Sequence, residues 1–284
     1  MDSQCIKELI VRKLVFITFN LKPMNTFHRL INAVTTSLEK LRYSYFSAYY
    51  PFLLLFEKLL IFNPGTAYVM EELLNSAEPY YTDELPYHNF SHVEDTLDAA
   101  DEMISRCEEH GVEIDPEVVK AALAFHDAYY QKDAERFGYN TKEDLSKEVA
   151  RVELRKAGYN EEFVGKVEDC IEATKHSSRP AEDATEEIAV RAADLRGLVA
   201  PYEEFQENSE ALREEQGILN GSEPDYEKWV EGVLTTLHHY ASQDLELTPE
   251  HETKDGLSEF HTRLGKNIGQ FIHDYVKEDM DIEI

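Results

Sequence analysis

The chain has 284 residues, 42% of them hydrophobic, with 57 acidic against 28 basic side chains and a formal charge of −29. That length allows one large domain, or one domain with an extension, and the hydrophobic share is enough for a packed core. A chain this acidic repels nucleic-acid backbones, which argues against duplex binding. Cys5, Cys107 and Cys170 are odd in number and widely spread. They form neither a disulfide frame nor a zinc knuckle and point to reduced thiols in a cytoplasmic protein.

Residues 1–64 differ in kind from the rest. They hold eight basic and four acidic residues, leaving 20 basic against 53 acidic in residues 65–284. They also carry the aromatic run YSYFSAYYPFLLLF, Tyr43 to Phe56. Aromatic residues beside a basic flank suit a membrane surface, but Pro51 and the Glu57-Lys58 pair interrupt any 20-residue apolar span. The pattern of a cleavable signal peptide is also missing. The reading favoured over membrane contact is a hydrophobic, helical extension, or a stretch upstream of the domain proper, with the main domain at 65–284.

From Pro64 onward the chain reads as one helix after another, with no sustained alternation that would mark a strand. Thr66 to Asn75 is a short helix. The next runs from Asn89 to about Glu109, with Val93, Leu97, Ala100 and Ile104 on one stripe. Pro116 opens a third, whose buried face is Val118, Ala122, Phe125 and Tyr129. After the loop QKDAERFGYN, Thr141 and Asp144 resemble a capping box before a helix that Gly158 ends. Asn160 caps a helix to about His176, and a loop with Pro180 precedes a helix from Glu186 to Val199. Pro201, Pro224 and Gly256 introduce three more, the last reaching Glu278. Acidic runs such as YEEFQENSEALREE, beginning at Tyr202, read as solvated helix faces.

Chemistry gathers at three places. His126 and Asp127 end the apolar run AALAFHDAYY, where an ionised carboxylate going into a core needs a partner. His92 borders the Val93–Leu97 stripe, and Asp194 neighbours Leu195 and Leu198. Three helical segments thus aim metal-capable groups at one core. Two imidazoles and two carboxylates suit a borderline or hard divalent ion, Mn, Co, Ni, Fe, Zn or Mg. Between Asp127 and Asp194 the only histidine is His176, which favours one ion over two.

Five motifs stand in order: YHNFSH (87–92), FHDAYY (125–130), EDLS (143–146), ATKH (173–176) and AADL (192–195). Together they resemble the HD-domain superfamily of metal-dependent phosphohydrolases. The closer likeness is to a branch of predicted phosphohydrolases with YHN-x-x-H, F-H-D-x-x-Y, E-E-x-S, T-x-x-H and D-A-D-L. The likeness covers roughly residues 66–215. Two departures stand out: Ala192 replaces the first aspartate of D-A-D-L, and Leu85-Pro86 stand where a basic residue often precedes YHN.

The resemblance implies an all-α HD helical bundle with one divalent metal held by His92, His126, Asp127 and Asp194. It also implies hydrolysis of a small phosphate ester, most readily a nucleotide. Asp127, Glu143, Asp144 and His176 are then catalytic candidates. His88, Tyr130, Lys175 and Arg179 are candidates for binding substrate. Each has a plainer reading: Glu143 and Asp144 as acids of a helix first turn, Lys175 and His176 as partners of C-terminal helix carbonyls. Asn89 is most simply a helix cap. His238, His239, His261 and His273 read as surface or structural. The alternative functions are a metal- or nucleotide-binding sensor without catalysis and, more remotely, an iron-dependent oxygenase on the same fold.

Overall fold

The computed structural model describes residues 64–248 and 257–275, with side chains from residue 70 onward. The expectations for the N-terminal extension, for Gly256 and for a helix end at Glu278 lie outside those residues. Among the described residues there is no strand. The helices are α1 (Pro64–Ala77), α2 (Phe90–His110), α3 (Pro116–Phe125), α4 (Lys142–Ala157), α5 (Glu161–Thr174) and α6 (Thr185–Asp194). They continue as α7 (Arg196–Val199), α8 (Tyr202–Asn220), α9 (Tyr226–Tyr240) and α10 (Glu259–Tyr275), with 3₁₀ turns at Glu78–Tyr80 and Ala134–Phe137.

Local chemistry sets the helix starts. Asn89, Asp115, Thr141 and Asn160 each accept a hydrogen bond from a backbone N–H of the first turn that follows. Such caps satisfy donors that the helix itself leaves unpaired. Asn89 is held from behind as well: its amide donates to the carbonyls of Leu85 and Pro86. Gly158 stops α4 in the left-handed region at φ 91°, a conformation that glycine adopts without steric cost.

Helix α3 is the centre of the first core. Its sequence PEVVKAALAF is nearly all apolar, and Val118, Val119, Ala121, Ala122, Leu123, Ala124 and Phe125 are all fully buried. Small residues on several faces let neighbours approach closely, and α2, α4, α5 and α6 all pack against it. A second core gathers Phe205, Trp229, Leu237, Leu264 and Phe271 from the C-terminal helices. Helix α6 serves both: Ala189, Val190 and Ala193 face the first core, while Ile188 and the following Leu195 face the second.

Three helix ends differ from expectation. Helix α3 stops at Phe125, so Tyr129 is not on its buried face. The N–H of Tyr129 donates to the carbonyl of Tyr80 at 2.9 Å, and Tyr129 sits at φ 62°. A tertiary hydrogen bond has replaced the helical one, and left-handed backbone at a bulky residue costs roughly 1–2 kcal/mol. The edge-on packing of Tyr80 against Tyr129 and the half-buried Tyr80 hydroxyl bonded to Glu153 hold this strap in place. The helix expected over Glu186 to Val199 breaks at Leu195, which turns its side chain into the second core.

Helix α5 ends at Thr174 instead of His176, and buried Arg191 explains the exit. Its guanidinium donates to the carbonyls of Ala173, Lys175 and His176 and to Gln243 Oε1. One α6 side chain therefore completes the end of α5 and ties it to the segment after α9. Removing a buried donor strands its acceptors, so Arg191→Met should lower the unfolding free energy by on the order of 3 kcal/mol. Urea unfolding at unchanged m-value checks this; a loss under about 0.5 kcal/mol would contradict it.

Candidate metal centre

His92 comes from the first turn of α2, His126 from the residue capping α3, Asp127 from the turn after it, and Asp194 from the last residue of α6. One ligand atom from each of the four lies within 4.8 Å of the others. His126 Nε2 is 3.4 Å from His92 Nε2, 3.4 Å from Asp194 Oδ1 and 2.9 Å from Asp127 Oδ2. His92 Nε2 is 3.4 Å from Asp194 Oδ1 and 3.7 Å from Asp127 Oδ2.

Hydrogen bonding decides which atom of His126 is available. Its Nδ1 is 2.8 Å from the carbonyl of Leu123, which can only accept, so Nδ1 carries a proton. In the neutral ring the Nε2 lone pair then points at the other three groups. Asp127 Oδ2 lies within ion-pair distance of that nitrogen, yet this buried oxygen has no aligned hydrogen-bond donor. A lone pair facing an anionic oxygen requires a positive charge between or upon them. Without a metal, a proton fills that role. Burial alone would lower the His126 pKa, but Asp127 and Asp194 raise it well above its ordinary value. For Asp194, burial works upward and the hydrogen bonds from His126 and His92 hold the carboxyl below the usual range. The donor set and the unpartnered oxygen fit a divalent cation.

A second chain of contacts leads outward from Asp127. His88 Nε2 is 3.9 Å from Asp127 Oδ2, while its Nδ1 is hydrogen bonded to Glu215. Glu215 Oε2 also accepts from the backbone N–H groups of Tyr87 and His88, at 3.1 and 2.8 Å. Burial would push the Glu215 carboxyl up, but these donors, His88 foremost, hold it below its ordinary value. Tyr130 stacks on His88 with ring centroids 3.6 Å apart. The expectation that YEEFQENSEALREE is a solvated face therefore fails at its last residue: Glu215 is only 2% exposed. The signal was present, since the stripe of Phe205, Ser209 and Leu212 continues through Glu215 at helical spacing.

The downstream candidates separate into two groups. Asp144 is bound at 2.9 Å by both Lys147 and Lys175, and Lys175 also bonds Glu172. Glu143, half-buried beside it, has no such partner among the described residues. Its charge acts on Tyr130 and Tyr240. His176 stacks on His239 at 3.8 Å, and His239 Nε2 donates to the His176 carbonyl. Arg179 lies against the same His239 ring. His239, read from the sequence as surface or structural, is thus part of this cluster. Burial, His239, Arg191 and Arg179 all lower the His176 pKa. Of the two departures, Ala192 packs on the second core and Leu85 is buried.

No protein-family model and no curated protein sequence matches the chain. Among solved structures, the fold is similar to the crystal structure of the phosphodiesterase domain of Salpingoeca rosetta rhodopsin phosphodiesterase. The TM-score is 0.56 at 14% identity, over 74% of this chain and 82% of that one. At that identity the likeness concerns the fold, an all-helical bundle.

Hydrogen bonds from Lys147 and Lys175 hold the Asp144 carboxyl down at about 2. Its folded value lies below the roughly 3.9 of an unfolded aspartate, so the stabilisation is complete above about pH 4 and disappears as pH falls toward 2. Asp144→Asn should be less stable than the unmodified chain at pH 6, with the gap closing below pH ~4. Urea midpoints against pH measure it; a gap independent of pH would contradict the assignment.

Proposed function

We propose that the chain is a divalent-metal-dependent phosphohydrolase of the HD superfamily, acting on a small phosphate ester, with nucleotides as the favoured class. The observation that carries this reading is the convergence of His92, His126, Asp127 and Asp194 around a buried carboxylate oxygen without a donor. The ordered motifs and the helical frame similar to that of a phosphodiesterase domain support it. These four residues would hold the metal, which when bound would supply Lewis acidity toward a phosphoryl oxygen and a more acidic water.

The chain's own residues divide the remaining work. His88 is the proton donor for the leaving oxygen. Glu215 and the stacked Tyr130 fix its ring, and its Nε2 is turned toward Asp127. A carboxylate bonded to Nδ1 fixes the ring so that Nε2 is the atom presented to the centre. Glu143 is the proton acceptor, since Asp144 is committed to two lysines and held at about 2. Asp144 instead orients Lys175. Lys175, His176 and Arg179 form a rim for the anionic part of the substrate. Burial and the groups around it disfavour the charged form of His176, which suits a hydrogen-bonding role.

The test is phosphate release by the full chain from a panel of nucleotides with Mn, Co, Ni or Mg. Release is expected with at least one metal and is lost in Asp127→Ala. His88→Asn should lower kcat by about 10²–10⁴-fold with KM little changed. No release from any ester despite bound metal would refute the hydrolase reading and leave a binding module.

A further inference from the structure

Tyr87 opens the motif YHNFSH, and its backbone is tied on both sides. Its N–H donates to Glu215 Oε2 at 3.1 Å, and its carbonyl accepts from the N–H of Asn89 at 2.8 Å. The ring so placed lies against His92 of the centre and His88 beside it. It is tilted by 36° to His92 with centroids 4.7 Å apart, and stands edge-on to His88 at 4.9 Å. Its hydroxyl reaches α7, the helix that follows Asp194. A β-carbon on Gly197 would stand 3.3 Å from Tyr87 Oη and 3.1 Å from Asn208 Nδ2. Only glycine leaves room there without displacing one of them.

The two imidazoles of the centre are held in different ways. His126 is anchored by the hydrogen bond from its Nδ1 to the Leu123 carbonyl. The polar contacts of the His92 side chain are at Nε2, and among the described residues its Nδ1 has none. Packing is left to fix the angle of that ring. His88, His126 and Tyr87 stand against it with centroids 5.8, 5.4 and 4.7 Å away, so Tyr87 is the nearest. A metal-binding imidazole ordinarily has its other nitrogen bonded to a fixed acceptor, and losing that support weakens metal binding by about 10–100-fold.

We propose that Tyr87 is a positioning residue of the metal centre, whose ring sets the angle at which His92 presents Nε2 to the cation. Its hydroxyl, seated against Gly197, ties that ring to the helix after Asp194, and Gly197 is the complement that makes the seat. This role rests on the reading of the four groups as a metal centre, not on the chemistry performed there.

Calorimetric titration of the metal-stripped full chain and its variants with Mn tests this role. The unmodified chain should bind Mn, and Tyr87→Leu should bind it about tenfold or more weakly. Tyr87→Phe keeps the ring and should stay within about threefold of the unmodified chain. Gly197→Ala should also weaken binding, although alanine is the better helix former. Adding Tyr87→Phe should recover part of that loss, because it removes the oxygen 3.3 Å from the new methyl. A merely structural tyrosine would lower the thermal midpoint of the metal-free chain and leave the Mn affinity of the folded chain unchanged. Equal Mn affinity in folded Tyr87→Leu would therefore overturn the role and leave the metal centre standing. If Tyr87→Leu does not fold, the Gly197 variants decide: no weakening in Gly197→Ala, or no recovery on adding Tyr87→Phe, would overturn it. No Mn binding by the unmodified chain would overturn both the role and the centre.

Discussion

Two carboxylates and two imidazoles share one small, largely buried space, and the rest of the described structure is arranged around that fact. An uncompensated buried charge costs several kcal/mol, a large part of the 5–15 kcal/mol by which domains are stable. The Leu123 carbonyl makes the conflict acute by fixing the His126 tautomer, so a nitrogen lone pair faces the oxygen of Asp127. A single cation resolves it: a proton in part, a divalent metal more completely, because the metal can be shared by all four groups.

Holding such a cluster together demands rigidity in the elements that carry it. Helix α3 supplies it through an alanine-rich body packed on four neighbours. Beyond Phe125 the strain at Tyr129, the Tyr80 carbonyl and the Ser146 hydroxyl bonded to the Ala128 carbonyl fix the turn that presents Asp127. Helix α6 lies between the two cores, so Asp194 is set by packing on both sides. Arg191, one turn earlier, links the same helix to the Lys175–His176 rim. The centre and its rim are therefore mechanically joined, not merely adjacent.

Much of this was legible in the sequence, for physical reasons that differ from residue to residue. The caps Asn89, Thr141 and Asn160 act locally, so a few neighbouring letters reveal them. His92, His126, Asp127 and Asp194 stood out because polar groups on apolar stripes need partners, and their order supplied the partners. Glu215 was hidden within an acidic run: only the stripe on which it falls, not its composition, separates it from solvated neighbours. The ends of α3 and α5 depend on the Tyr80 carbonyl and on Arg191, contacts made across long sequence separations that no local pattern encodes.

If His92, His126, Asp127 and Asp194 together hold one divalent cation, calorimetric titration of the metal-stripped full chain with Mn should show saturable binding of one ion per chain, abolished in His126→Ala. Absence of saturable binding, or binding that His126→Ala leaves unchanged, would contradict that assignment.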